Sequence, residues 1–356
     1  MKVLLLKALF SSGALPGKER IFLKKKSSPT IYDVAQEAGV SISTVSRVLN
    51  AHERVNESTR NQVLAAIDAL GFVPKAEARA RALSSSGRVG VITPFFTLPS
   101  FVQRLRGVAS ALTASNYELV IFTVDTHERL QHYLETIPLT HNLDGLIIIS
   151  VRVDAPIAQR LISHHVETVL IEYPLSEFSS VEIDDVAGGR LAATYLLGKG
   201  HRNLVFVGET NFPVYGIDPI SSRLAGYWDV LREQNIDFGQ HRIWETPHDV
   251  AATRRIVTQR LKTEPRPSAI FCATDMQAIG VMEAARGLGI KVPEELAILG
   301  FDDLDMSDYI GLSTVRQPLD ESGRVAAELL FSRITNADRP VQHVRLPVTI
   351  VERTTT

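Results

Sequence analysis

Ten residues, Ser41 to Asn50, gather four hydroxyls, one guanidinium and one amide around a single exposed-type isoleucine, Ile42. Short hydroxyl and amide side chains bond phosphate oxygens and base edges, and a guanidinium forks onto paired acceptors, so the set suits polyanionic or base-bearing partners. The chemistry of turnover is missing by comparison. The chain has no G-x-S-x-G, H-E-x-x-H, P-loop or G-x-G-x-x-G pattern. The acidic run Asp302, Asp303, Asp305 and Asp308 lacks the Gly and terminal Glu of a calcium loop, and His164, His165 and Glu167 have no ligand spacing. Both read as surface features; no enzyme, metal site or cofactor is expected.

The elements that must position the hydroxyl cluster are helical. Ile31, Val34, Ala35 and Ala38 fall at i, i+3, i+4 and i+7, and Gly39 follows where a positive φ ends the helix. A second helix starts near Ser41, with Val45, Val48 and Leu49 on one face and Ile42, Ser43, Ser46, Arg47 and Asn50 on the other. A third fits residues 57 to 70, with Asn56 as N-cap, Val63, Leu64, Ile67 and Leu70 as its buried stripe and Gly71 beyond its end. Two short helices about a Gly turn, braced by a third, describe a helix-turn-helix head. A plain three-helix bundle has the same periodicity.

Charge divides the chain in the same place. The 356 residues carry 38 Lys plus Arg and 40 Asp plus Glu, a net charge of −2, and allow about two or three domains. Residues 1 to 88 hold 14 basic and 7 acidic side chains, or +7, leaving 24 against 33, or −9, for the remainder. A basic head on an acidic body is the asymmetry of a nucleic-acid reader joined to a larger domain. The single cysteine, Cys272, excludes a disulfide framework and fits a reducing cytoplasm, and no 18-residue apolar run spans a membrane. The N-terminal stretch is no clean secretory signal, since Lys7 interrupts its apolar run and no small-x-small site follows. Residues 1 to 29 read as a disordered or non-native extension, with Leu23 as an alternative start.

From residue 89 the chain alternates strand-like and helix-like segments. Strand candidates are RVGVIT at 88, YELVIFTVD at 117, LDGLIIIS at 143, ETVLIEY at 167, NLVFVGE at 203, HRIWET at 241, AIFCATD at 269 and LAILGFDD at 296. Helical periods of about 10 to 16 residues between them make βα units, so parallel sheets covered on both faces are expected, in two doubly wound lobes.

The stretch TIYDVAQEAGVSISTVSRVLN, continued by VNESTRNQVLAAIDALGFVP, closely resembles the DNA-binding head of the LacI/GalR family of bacterial transcription regulators. The body matches too, through VEIDDVAGGRLAATYLLGKGHRNLVFVG, SSRLAGYWDVL, FCATDMQAIGVMEAARGLGIKVPEELAILGFDD and STVRQPLDESGRVAAELL. The resemblance implies an all-α helix-turn-helix domain at residues 30 to 75, a hinge helix and linker at 76 to 88, and a type 1 periplasmic-binding-protein-like, effector-binding and dimerisation domain at 89 to 356. Its lobes are expected at about 89 to 183 plus 318 to 346 and at 184 to 317 plus 347 to 356.

By position in the family motif, Ile42, Ser43 and Arg47 face bases, and Tyr32, Ser41, Thr44, Ser46, Asn50 and Thr59 position the DNA backbone. The family's minor-groove wedge is a Leu seven residues after the Pro, where this chain has Arg81; Leu83 comes two residues later, a rotation of roughly 200° on a helix. Leu83 by a shifted hinge helix, Arg81 by charge, and a solvated linker all remain open. For the effector, Arg223 and Asp302 match the family's ligand-contacting arginine and aspartate, with a structural ion pair as the alternative. Glu172 holds a position often acidic in sugar-responsive members, and Thr274 stands before Asp275 where sugar-binding relatives often have Asn. Phe95, Phe96, Phe101 and His248 are candidates for an apolar wall, core or dimer-interface packing being the alternative for the phenylalanines. The resemblance thus implies a cytoplasmic homodimer on palindromic double-stranded DNA, most simply a repressor of carbohydrate-utilisation genes released by a sugar bound between the lobes. A purine or other corepressor, or a sugar-binding protein without DNA activity, are the alternatives.

Overall fold

The computed structural model describes residues 29–50, 55–70, 72, 86–113, 115–140, 142–209 and 215–356. They belong to two compact units that divide after Ala78. The expected extension at 1 to 29 and the hinge candidates Arg81 and Leu83 lie almost wholly, or wholly, outside the described residues.

The first unit holds α1 (Ile31–Glu37), α2 (Ile42–Asn50) and α3 (Glu57–Leu70). Thr30 and Asp33 close a capping box at the start of α1, and Gly39 turns the chain at φ +62°. Asn56 accepts from the Thr59 amide at 2.8 Å to start α3. Val34, Ala35, Ala38, Val45, Val48, Val63 and Ala66 form the core. Leu64 was expected in that stripe and is instead 44% exposed. The helix turns Val63, Ala66 and Ile67 inward, and that rotation leaves Leu64 outside.

In the second unit the elements run β1 (Arg88–Pro94), α4 (Pro99–Leu112), β2 (Glu118–Val124), α5 (His127–Thr140), β3 (Gly145–Ile149), α6 (Ala155–Ser163), β4 (Glu167–Ile171) and β5 (Ser179–Ile183). They continue through α7 (Asp185–Gly198), β6 (Leu204–Gly208), α8 (Pro219–Glu233), β7 (Ile243–Glu245), α9 (Val250–Leu261), β8 (Ala269–Cys272), α10 (Asp275–Gly287) and β9 (Ala297–Asp302). The chain ends with α11 (Asp305–Tyr309), β10 (Ser313–Arg316), α12 (Leu319–Thr335), β11 (His343–Leu346) and β12 (Thr349–Val351).

Two six-stranded sheets result, ordered β11-β5-β4-β3-β1-β2 and β12-β10-β9-β8-β6-β7. Strand for strand the second repeats the first. Pairing is parallel throughout except that β12 runs antiparallel to β10. GLIII of β3 and LVFVG of β6 are buried at every position, as strands covered on both faces must be. Each sheet separates two apolar clusters, one per face.

All eight strand candidates form. β5 and β10 had no apolar run to announce them, because their hydroxyls are met inside the fold: Ser180 Oγ pairs with His343 Nδ1 at 2.8 Å, and Thr314 Oγ1 donates to Asp275 Oδ1 at 2.6 Å.

After its fifth strand each lobe sends its chain across to the other, where the arriving helix packs on the helix that follows the first strand: α12 on α4, and α7 on α8. Both crossings need glycine. A Cβ on Gly323 would lie 2.0 Å from the Arg104 carbonyl oxygen, and one on Gly189 1.9 Å from that of Arg223. The two arginines thereby sit where the crossover helix packs closely on their own helix.

Candidate functional site

On the head, Tyr32 is 67% and Ile42 41% exposed, and Ser41, Ser43 and Arg47 are also exposed; Thr44, Ser46 and Thr59 are half-buried. Ser41 Oγ accepts from the Thr44 amide at 3.2 Å and lies 2.8 Å from both Ser43 Oγ and Thr44 Oγ1, so three hydroxyls gather at the N-terminus of α2. That end carries the positive end of the helix dipole, which suits phosphate. Ser43 and Arg47 lie one helical turn apart on the same side, opposite the buried Val45 and Val48. The structure describes the Asn50 backbone but not its side chain.

The second site is a cavity of about 380 Å³ between the lobes, at the C-terminal ends of β1, β3, β4, β6, β8 and β9. Phe95, Phe101, Glu172, Arg223, His248, Thr274 and Asp302 all line it, as do Arg104, Ser150, Glu209 and Gln317. Phe96 does not; it is 41% exposed outside the cavity, because the turn at Phe95 (φ +49°) directs successive side chains apart. Phe95 and Phe101 meet edge to face at 6.2 Å and, with Leu98, Ile217 and Ile220, give the apolar part of the wall.

Four lining residues, Phe95, Ser150, Glu172 and Asp302, have positive φ (49°, 55°, 74° and 125°) directly after or at the end of a strand. L-residues enter that region at a cost of about 1 to 3 kcal/mol, met where the surrounding fold over-determines them. Here it turns the side chains out of the pleat and into the cavity.

The charged groups form one bonded chain across the cleft. In the first lobe Glu172 pairs with both Arg104 and the Ser150 hydroxyl. Arg104 donates from Nη2 to Gln317 Oε1 at 3.1 Å, and Gln317 Nε2 donates to Asp302 Oδ1 at 2.5 Å. Arg223 Nη1 stands 3.8 Å from Asp302 and donates to the Ala273 carbonyl at 2.6 Å, while its Nε donates to Asp185 at 2.8 Å. Its guanidinium also lies 3.7 Å over the Phe301 ring. The ion pair between Arg223 and Asp302 exists, and it lines the cavity, so the structural and ligand-facing readings describe the same pair.

Burial sets the titration here. It raises the Asp302 carboxyl, with Arg223 pulling the other way, and likewise raises Asp185 and, beneath the cavity, Asp275, whose charge and that of Asp302 oppose each other. Asp275 is structural: it accepts from Leu304 N, Ser307 Oγ and Thr314 Oγ1. Burial, with Arg223 adding to it, pushes His248 down to about 4, so its imidazole is neutral near pH 7. The Thr274 hydroxyl caps α10, accepting from the Gln277 amide at 3.3 Å.

The acidic run read as surface divides in two, Asp302 and Asp303 turning inward while Asp305 and Asp308 are exposed as expected. Asp302 is in the cavity, Asp303 is buried between Arg316 and Arg353, and Asp305 takes Arg106 and Gln103 from the other lobe. Arg104, Gln317, Ser150 and Glu209 line the cavity but escaped the sequence. A signal for the first was present: Arg104-Leu105-Arg106-Gly107 repeats the R-L-x-G of Arg223-Leu224-Ala225-Gly226 at the matching helix of the other lobe.

Among the described residues no cluster of metal-binding side chains occurs, and no helix is long and apolar enough to cross a membrane.

The family model for bacterial regulatory proteins of the lacI family matches residues 30–75, and the model for periplasmic binding protein-like domains matches 193–356. Catabolite control protein A of Priestia megaterium is 33% identical over 92% of this chain and 99% of its own length. The ribose operon repressor of Haemophilus influenzae is 30% identical (91% and 97%), and the HTH-type transcriptional repressor PurR of Erwinia tasmaniensis 29% (91% and 96%). Among solved structures, the complex of the regulator CelR with cellobiose superposes with a TM-score of 0.66 at 26% identity, covering 92% of this chain and 100% of that one. With its helix-turn-helix head and two-lobed cleft, the chain belongs to the lacI family of bacterial regulatory proteins and is a ligand-responsive, DNA-binding transcriptional regulator.

Proposed function

We propose that the effector is a neutral sugar of mono- to disaccharide size, and that its binding releases a homodimeric repressor from a palindromic operator of carbohydrate-utilisation genes in the cytoplasm. One observation carries the reading. Every arginine lining the cavity is already held by a carboxylate, Arg104 by Glu172 and Arg223 by Asp185 and Asp302, beside an apolar wall. Paired guanidinium and carboxylate groups keep spare donors and lone pairs for hydroxyls, while an anionic ligand meets no unpaired cation among the described lining residues. The names of the ribose operon repressor and the cellobiose complex support a sugar as well.

On the head, Arg47 and Ser43 reach base edges and Ile42 makes apolar contact with a base, while Tyr32, Ser41, Thr44, Ser46, Asn50 and Thr59 hold the phosphates. In the hinge, either Arg81 or Leu83 enters the minor groove or a solvated linker contacts phosphates alone.

The test is a thermal-shift screen of the full chain against D-ribose, D-xylose, D-glucose, D-galactose, cellobiose, hypoxanthine and guanine, followed by gel shift on genomic fragments. A sugar that raises the melting temperature and weakens the DNA complex is expected. Stabilisation by a nucleobase alone, with tighter DNA binding, replaces the inducer reading by corepression.

A further inference from the structure

The duplication of the two lobes extends to the chemistry of the cavity. Each arginine stands on the helix after the first strand of its lobe, in R-L-x-G, with its carbonyl against a glycine of the crossover helix. Each main carboxylate ends the fourth strand of its lobe with positive φ, Glu172 after β4 and Asp302 at the end of β9. A hydroxyl follows each third strand, Ser150 after β3 and Thr274 shortly after β8. Gln317, on the crossover from β10 to α12, joins the two sets by accepting from Arg104 and donating to Asp302.

We propose that Arg104 and Glu172 form a second hydroxyl-binding pole, the first-lobe equivalent of Arg223 and Asp302, and that together the two poles select a polyol bearing hydroxyls on opposite edges. The assignment rests on the sugar reading above.

Three features argue that this pole is built for a ligand. Both Glu172 oxygens are oriented, one by Arg104 and the other by Ser150, which fixes the carboxylate plane and leaves further lone pairs on each oxygen. The Arg104 side chain is 4% exposed, yet its Nε has no hydrogen-bond partner among the described residues. A buried donor left unmet is costly, but that nitrogen has no accessible surface of its own, so an acceptor oxygen reaches it only if the side chain shifts as the ligand enters. Finally, Arg104 lies 5.8 Å over the Phe101 ring, as Arg223 lies over Phe301, so each guanidinium has a ring and a carboxylate to fix its plane.

The experiment is isothermal titration of the full chain with whichever of D-ribose, D-xylose, D-glucose, D-galactose and cellobiose binds tightest, and with each of its monodeoxy derivatives. The variants are charge-balanced, R104M/E172Q and R223M/D302N, with urea midpoints checked first; should R104M/E172Q not fold, R104K, which keeps the charge and loses the fork, takes its place. In the wild type, derivatives lacking a hydroxyl at either edge lose about 10- to 100-fold in affinity. The penalty for one edge is expected to vanish in the Arg104 variant and that for the other edge in the Arg223 variant. An Arg104 variant that keeps every deoxy penalty makes the pair a structural ion pair and overturns the second pole while the sugar reading stands. No binding of any of the five sugars to the wild type overturns both.

Discussion

Arg223→Met isolates the electrostatics of the cavity from its packing. The side chain is 4% exposed and holds three partners: Asp185 at 2.8 Å, Asp302 at 3.8 Å and the Ala273 carbonyl at 2.6 Å. Methionine keeps much of the apolar stem and a sulfur over Phe301, so the loss is chiefly of charge. Asp185, at 16% exposed, hydrates more readily than Asp302, at 4%. Breaking a buried pair from one side costs about 3 to 5 kcal/mol, and that is the loss expected at pH 8. The pH dependence identifies its source. Burial already raises the Asp302 carboxyl with Arg223 present, and removing Arg223 raises it further. Above its unfolded value the native state then binds more protons than the unfolded chain, so stability falls as pH rises until the native value is passed. The deficit is largest at pH 8 and should shrink by more than half near pH 5, where Asp302 is protonated in the variant. D302N added to R223M should restore most of it at pH 8. Urea unfolding of the full chain followed by tryptophan emission is the assay; both tryptophans, Trp228 and Trp244, lie in the second lobe and report it alone. A deficit equal at pH 5 and pH 8, and untouched by D302N, would refute the unpaired-charge account in favour of packing.

On the head, Arg47→Ala should cost about 1 to 3 kcal/mol on the cognate operator and relax one base position, read by anisotropy titration on single-base variants; uniform weakening would make Arg47 a phosphate contact. Gly323→Ala and Gly189→Ala each press a methyl onto an arginine carbonyl and should cost about 1 to 3 kcal/mol or more, together with sugar affinity. Gly198→Ala meets nothing within 4 Å and should stabilise slightly, so parallel melting curves separate close packing from a general helix effect. His248 is held down to about 4 against about 6.5 unfolded, so the wild type loses stability as pH falls from about 6.5 to 4 while the unfolded chain takes up the proton. His248→Gln should lack that part of the acid loss in a melting-temperature series.

The residues that were legible in the sequence share a physical property: their local pattern and their tertiary role agree. Fully buried strands such as GLIII and LVFVG are apolar because both faces are covered, and the head helices show their stripe because a small core admits only one face of each. Strand β5 was not legible because its serines are buried on the strength of partners about 160 residues away. Arg104 failed for a like reason. An arginine in an amphipathic helix reads as solvated surface, and only the pairing of β3 with β4 brings Glu172 close enough to hold it inside. Leu64 was misplaced by the opposite error, an apolar side chain taken as evidence of burial when helix rotation left it outside.

The contacts that join the lobes fall into two layers with different consequences for the response to ligand. At the rim, Arg106 and Gln103 reach Asp305, and residues 150 to 152 bridge to 215 to 217 through backbone bonds such as Arg152 N to Tyr215 O at 3.1 Å. Both partners in the rim ion pair are more than half exposed, and such pairs contribute about 0 to 1 kcal/mol. In the interior, Arg104, Gln317 and Asp302 are each at most 5% exposed, and separating them would leave charge and amide groups to be rehydrated or neutralised. The inner layer therefore dominates the side-chain electrostatics of opening. A ligand shifts the balance between closed and open lobes only by what it adds to one state over the other. A sugar whose hydroxyls bond to that inner layer adds to the closed state in the one place where the lobes already share a continuous hydrogen-bonded chain.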